Sequence, residues 1–555
     1  MKLKEKLLRH WFLAALGALL LLIAAFLIEE HIRGHIALNR YVKQMRARGE
    51  KFTIAELTPT PVPPEKNGVG FMMSAGVPVG KVAPQSIPPA MRYIAPGVAV
   101  AAAREPVWAI QHRSTFVPTN GVMALWRTNT STETPRIRGT NVPMLITSED
   151  LRADVQAASN SLAQLHAAFQ FPALDHGLDY SAGFNMRLPH LSQERGAANW
   201  LRAASLSALY ETNHAVALQN LLALAAFAHL TTNEPLMISQ LVRISAQQIG
   251  VGAVWEALQA DGWTEEQLRE LQNALQPADS VTAMSHALEM ERAMGGAIID
   301  RVSDDAQAFF ALLDPNSSMT GQAPAGSEID ELLKNVGRMF VRIVYLPIWN
   351  LAWKDQDKLR VFQMWQVQID AARTQARVPN WKTNRPQMDE SGEETGWFVE
   401  WPPQRRGGIY DRIAHPFSTL LGANGTRSLD RAVDAEVAQE LAISALALRR
   451  WQLLKGNLPA KLDELVPQFL PVVPVDPHDG QPLHYRSKKD GTFLLYSVGR
   501  DGRDNDGDAA PEKKDSKPQF LYGRDIVWPR AATQKELEYF ATEAAAGHRR
   551  NSTAP

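Results

Sequence analysis

Residues Leu429–Gly456 read LDRAVDAEVAQELAISALALRRWQLLKG. Val433, Val437, Leu441, Ala445 and Leu448 recur at intervals of three or four, which lines one face of an α-helix. Nothing breaks the run before Gly456, which follows Lys455 and is the natural C-cap. The pattern then changes. NLPAKLDELVPQFLPVVP (457–474) predicts a short helix between prolines, and DPHDGQPLHYR (476–486) a turn at Asp479-Gly480 leading into a strand. LHYRSKKDGTFLLYSVG (483–499) predicts a β-hairpin around Asp490-Gly491. A helix followed by a hairpin makes this end of the chain a small α+β unit.

The hairpin runs straight into YSVGRDGRDNDGDAAPEKKD (496–515). Two readings fit it. Calcium takes six to eight oxygens, so aspartates on a glycine-flexed loop suit it, and without a cation crowded carboxylates repel. Alternatively the stretch is a solvated turn whose charge Arg503, Lys513 and Lys514 partly offset. It is not an EF-hand: with Gly507 at the sixth position, Gly502 would be first and Lys513 twelfth.

Upstream, residues 148–303 are strongly helical. SEDLRADVQAASNSLAQLHAAF starts at Ser148 as N-cap with an acidic first turn, and TEEQLRELQNAL has the capping box Thr264/Gln267. Asn233 and Pro235 mark a break, with Pro235 placed in the first turn of the next helix. Alanine-rich helices joined by short polar turns imply packed antiparallel hairpins, without the fixed period of a repeat array. A second helical stretch covers about 326–377, including MFVRIVYLPIWNLAW (339–353), which is too short and interrupted to span a bilayer and suits core or a membrane-surface contact. Residues 378–428 are loop-rich, with Trp381, Trp397 and Trp401 either pinning the loop to the body or marking a binding surface. The predicted fold class is mainly α: an N-terminal transmembrane helix, a helical hairpin or bundle body, and a small C-terminal domain with an antiparallel sheet.

At the other end, Lys2, Lys4, Lys6 and Arg9 precede an uncharged run from Trp11 to Ile28. Eighteen residues at helical rise span about 27 Å, close to a bilayer core. The basic flank predicts a cytoplasmic tail (1–10), an anchor (11–28) and a chain that lies outside. A cleaved signal peptide is the rival reading, although no clear A-x-A site precedes Glu29 and Glu30. Residues 29–49 read as a charged juxtamembrane helix with His31 and His35 four apart, and TIAE (53–56) as a capping box. TPTPVPPEKNG (58–68) reads as an extended spacer before a helical body, 69–428.

The C-terminal pattern resembles a known family. Helix, G-x-x-P, short helix, DP-x-x-G-x-P-x-x-Y, hairpin, YS-x-G-x-DG and an acidic loop make up the soluble end of the major pseudopilin of type II secretion. The matching residues are Gly456, Pro459, Asp476, Pro477, Gly480, Pro482, Tyr485, Tyr496, Ser497, Gly499, Asp501 and Gly502. The resemblance covers about 430–530 and implies a pseudopilin-like domain (429–530) with a short tail after it (531–555). It also implies calcium in the loop, with Asp501 as a carboxylate ligand, the carbonyl of Val498 as a main-chain ligand, Asp504, Asp506 and Asp508 as later carboxylates, and Asp525 closing the site. The other end departs from the family: Ala18 follows Gly17 and Leu22 stands where a processed pseudopilin has Glu, and some 400 residues separate anchor and module. The module therefore reads as borrowed. The layout is also similar to large membrane-anchored bacterial proteins that carry such a module.

The chain has no cysteine, which excludes disulfides, thiolate zinc sites, iron–sulfur clusters and cysteine nucleophiles. Its net charge of −1 gives no electrostatic case for nucleic acid. GVPVGK (76–81) has three residues between its glycines, not the four of a phosphate loop. Three functions follow: a non-enzymatic bacterial inner-membrane protein, its bulk periplasmic, with a helical partner-binding body; a component of a type II secretion or pilus-like assembly; or a hydrolase-type enzyme in the helical body. The third has one constellation, ALDHGLDYS with Asp175, His176 and Asp179, joined by His190 and Glu194.

Overall fold

The structure, a computed structural model, describes residues 2–81, 87–88, 92–102, 107–109, 145–231, 233–275, 279–305, 308, 339–386, 409–421, 425–511 and 523–538. The expectations for Trp397, Trp401, Lys513, Lys514 and residues 326–338 lie outside them. The helices are α1 Lys2–Arg46, α2 Ile54–Leu57, α3 Val69–Lys81, α4 Ser148–Ala157, α5 Ser159–Ala168, α6 His190–Tyr210, α7 His214–Leu230, α8 Met237–Leu258, α9 Glu265–Ala274 and α10 Ser280–Asp304. Then come α11 Leu346–Ala352, α12 Lys354–Arg377, α13 Trp381–Asn384, α14 Ile409–Ala414, α15 Pro416–Leu421 and α16 Gly425–Lys455. The chain is mainly helical, with small sheets, as its patterning predicts.

The apolar run and the charged segment after it form one helix. A window within Leu13–Arg46 of α1 is long and apolar enough to cross a membrane, and almost none of it is buried. At Glu30 the surroundings change. Its carboxylate accepts from Arg33 and Gln356, and its carbonyl from Gln356 Nε2 at 2.9 Å. Gly34 lets α1 lie close on α12: a Cβ there would sit 2.7 Å from Gln356 Cγ. His35 is not a bare polar face, since Nδ1 lies 2.9 Å from Asp355 Oδ2 and Nε2 2.9 Å from Asn39 Nδ2. Below it, Glu50 is buried between Arg292 and Arg373, while Leu38, Met45 and Phe52 pack with Phe362.

The caps at Thr53 and Thr264 form as predicted. The cap of α4 is Thr147 rather than Ser148, because Thr147 closes a box with Asp150. α8 likewise starts at Met237, leaving Pro235 in the preceding loop, where Gln240 Nε2 holds the Glu234 carbonyl at 2.7 Å. GVPVGK ends α3. The proline-rich stretch is stitched to the body: Asp175 Oδ2 accepts from Val62 N at 2.8 Å, and Asn67 exchanges hydrogen bonds with the backbone of Asp175.

The apolar periodicity of α16 predicts one buried face. The helix is instead buried nearly all round, against α8, α9 and α10. Two of its buried charged residues go in with partners: Asp430 takes Trp381 Nε1 and a two-point contact from Arg385, all at 2.8 Å, and Arg450 reaches Glu265 and Gln272. Gly456 ends it at φ +78°. A 3₁₀ turn, Leu462–Leu465, follows. β5 (His484–Ser487), β6 (Phe493–Ser497) and β7 (Ile526–Val527) then form an antiparallel sheet. One apolar cluster runs from Leu201 and Trp255 through Leu441 and Leu448 to Leu495 and Trp528. The chain end also returns to the front of the body. β8 (Arg530–Ala531) pairs in parallel with β2 (Val98–Val100), beside β1 (Arg92–Ala95), and Trp255 Nε1 donates to Pro529 O at 2.7 Å. β3 (Val107–Ala109) and β4 (Leu145–Thr147) pair separately.

Candidate functional site

The acidic loop leaves β6 through a junction built on Asp476, which is fully buried. Its carboxylate accepts from His478 N, Ser497 Oγ and Val498 N at 2.8–2.9 Å, and burial raises its pKa. The next turn is held from α16: Arg500 pairs with Asp434, and His478 Nε2 lies 3.3 Å from the same carboxylate. Burial pushes Asp434 upward, yet His478 and Arg500 win and hold it below the ordinary carboxylate value. Lys382 Nζ donates to Gly502 O at 2.8 Å, clamping the loop from α13.

Each predicted ligand has a place in this loop. Val498 is buried with its N–H on Asp476. Asp501 accepts from Arg503 N at 2.9 Å. Asp504 takes Tyr496 OH and Asp506 N, which lowers its pKa, while burial and Asp504 push the tyrosine up to about 12. Asp506 pairs with Arg486, and Asp508 with Arg524 and Ala510 N. Asp525 is buried and gathers Asn505 N, Gly507 N and Asp508 N at 3.2, 2.7 and 3.1 Å. Asp506 and Gly507 both take positive φ, which turns those N–H groups toward it. The loop is thus wrapped around Asp525, and its carboxylates are held by N–H, hydroxyl and guanidinium donors. They do not gather as a cluster of ligand atoms.

A different group does. Among the described residues, His176, His190 and Glu194 bring one ligand atom each within 4.8 Å of one another. His190 and Glu194 stand one turn apart at the start of α6, so they share a face. His176 arrives from the loop after α5, followed by Gly177 at φ +62°. His176 Nε2 lies 3.2 Å from Glu194 Oε1, and the two imidazoles stack with centroids 4.0 Å apart. His190 Nε2 lies 3.1–3.2 Å from both oxygens of Glu234, which also accepts from Ser239 Oγ. Asp175 and Asp179, grouped with these residues by sequence, turn elsewhere: Asp175 to Val62 N and Gly177 N, Asp179 to Ser181.

No protein-family model matches the chain, and no curated protein or solved structure matches it.

Sequence reasoning missed Glu234, Asp434 and Asp476 as site residues. Asp476 stood within the DP motif and Glu234 before a proline at a helix start, which were readable signals. Asp434 gave none, being one acid among several on α16.

Proposed function

We propose that this is a single-pass envelope protein, anchored in the bacterial inner membrane by α1, whose periplasmic helical body binds a protein partner and carries a calcium-stabilised, pseudopilin-like C-terminal domain. The observation that carries the reading is the division of α1. Its apolar half is exposed, and the same unbroken helix from Glu30 onward is packed into the body. A second feature fits. α11 packs on α1, and Leu27 joins the apolar cluster of Leu346 and Trp349 just where the apolar run ends. Beside it Met339, Phe340 and Ile343 are exposed, which suits the headgroup boundary. The test is expression in bacteria with an alkaline phosphatase fused after residue 555. The reading expects an active fusion that stays with membranes after alkaline carbonate extraction. A chain released by carbonate, or a mature start near residue 30, overturns it.

Calcium at Val498, Asp501, Asp504, Asp506, Asp508 and Asp525 rests on the aspartate pattern and the resemblance, and would require side chains to turn from their present donors. Calorimetric titration of the full-length protein in detergent, repeated on Asp501→Ala, tests it; heat that is absent, or equal in both, removes the metal. The order helix, hairpin, third strand also favours a second reading, assembly into a secretion or pilus-like structure through this module. An unchanged mass on co-expression with prepilin peptidase excludes its simple form.

A further inference from the structure

We infer that His176, His190 and Glu194 form a site for one divalent transition-metal ion of zinc's class, with Glu234 orienting His190, and that this ion pins the loop after α5 to the start of α6. The argument begins with charge. The side chains of His176, Glu194 and His190 are 6%, 3% and 3% exposed, and that of Glu234 is 11%. Two carboxylates are therefore enclosed together, and among the described residues neither meets an arginine or lysine. An enclosed carboxylate without a counter-charge is strongly unfavourable. Two protonated imidazoles would supply the charge, but these rings stack face to face at 4.0 Å, where two cations repel. A divalent ion with two neutral imidazoles and two carboxylates makes the group neutral and removes that repulsion.

The donor set suits zinc. Imidazole nitrogen and carboxylate oxygen are its ordinary ligands, and three protein ligands leave one coordination position. The neighbouring atoms follow the same logic. A metal-bound histidine normally gives its other ring N–H to a carboxylate, which fixes the ring. His190 Nε2 faces Glu234 in this way, and Ser239 in turn holds Glu234. The ligands come from a loop and from two residues one turn apart on a helix, so binding would join segments that no disulfide can tie in a chain without cysteine. The site is separate from the acidic loop and independent of the membrane reading.

The test uses the full-length protein purified in detergent without chelator. Elemental analysis should find close to one zinc per chain. Stripped protein reloaded with Co²⁺ should show the visible absorption of a low-coordinate nitrogen/oxygen site, and X-ray absorption should show two imidazoles and no sulfur. Against a chromophoric chelator, His176→Ala and Glu194→Gln should each weaken zinc binding at least about tenfold, and Glu234→Gln about 10–100-fold. His35→Ala, on the stalk, should leave it unchanged. If His176→Ala fails to fold, the near-isosteric Glu194→Gln and the unmutated protein's cobalt spectrum still decide. A chain that holds no zinc and takes up no cobalt overturns the inference. So does zinc affinity unchanged in Glu194→Gln.

Discussion

Glu50→Ala should release the stalk from the body. Glu50 is buried, and its Oε2 lies 2.9 Å from Arg292 Nη2. Arg373 and Gln366 also donate to it. Burial pushes its pKa up, but the two arginines overcome that and hold it low, so Glu50 is ionised at neutral pH. Arg292 has no exposed surface; it also donates to Lys51 O at 2.7 Å and lies over the Phe52 ring at 4.5 Å. Removing the carboxylate strands this guanidinium, whereas Arg373 is partly exposed and keeps Glu289 at 2.8 Å. Loss of one partner of a buried pair costs about 3–5 kcal/mol. At about 1.4 kcal/mol per decade, the opening constant of the 50–52 segment should rise by roughly two to three and a half orders of magnitude. Trypsin reports this on full-length protein in detergent. Lys51 is exposed, but its carbonyl is held by Arg292 and Phe52 is buried, so the Lys51–Phe52 bond is cut only after local opening and the cleavage rate tracks that equilibrium when reclosing is fast. Glu50→Gln should fall between wild type and Ala. Glu50→Ala/Arg292→Met should recover most of the loss, because no buried charge is then unpaired. Cleavage of Glu50→Ala less than about tenfold faster than wild type would falsify this account of the stalk, as would a double variant no better than the single one.

Three further outcomes are expected. Burial raises Glu291 to about 7 and Asp357 to about 6. Folded-state values above the unfolded ones mean stability that is present at low pH and lost progressively as pH rises from the ordinary carboxylate range to 6–7. Glu291 alone accounts for about 3 kcal/mol, so Glu291→Gln should gain thermal stability on wild type between pH 5 and pH 8; a constant gap across that range refutes it. Asp476→Ala leaves Ser497 Oγ and the N–H groups of His478 and Val498 without their acceptor and should cost at least about 2 kcal/mol in denaturant unfolding. A change under about 0.5 kcal/mol would mean that the β6 exit does not depend on it. In nanodiscs, a photoactivatable lipid should label residues 339–344 of the wild type, and Phe340→Asp/Ile343→Asp should lose most of that label; no label on the wild type places the segment away from the bilayer.

Local features of this protein were legible because local physics fixes them. The capping boxes at Thr53 and Thr264, the stop at Gly456, the turns at Gly480 and Gly491 and the apolar run of α1 each depend on residues within a turn or two. Periodicity also located α16, but it could not say that other segments would cover its polar side, because the partners of Asp430 and Asp434 lie 44–66 residues away along the chain. The same limit applies to the sites. His176, His190 and Glu194 were readable as residue types capable of metal or acid–base chemistry. Only tertiary packing stacked the two rings, brought in Glu234, and sent Asp175 and Asp179 to cap backbone instead. In the acidic loop, composition indicated a dense negative charge, and the positive φ at Asp506 and Gly507 decided that backbone N–H groups would meet Asp525. Sequence specifies which groups need a partner; the long-range fold determines which partner is within reach, because a buried charge takes the donor that packing brings to it.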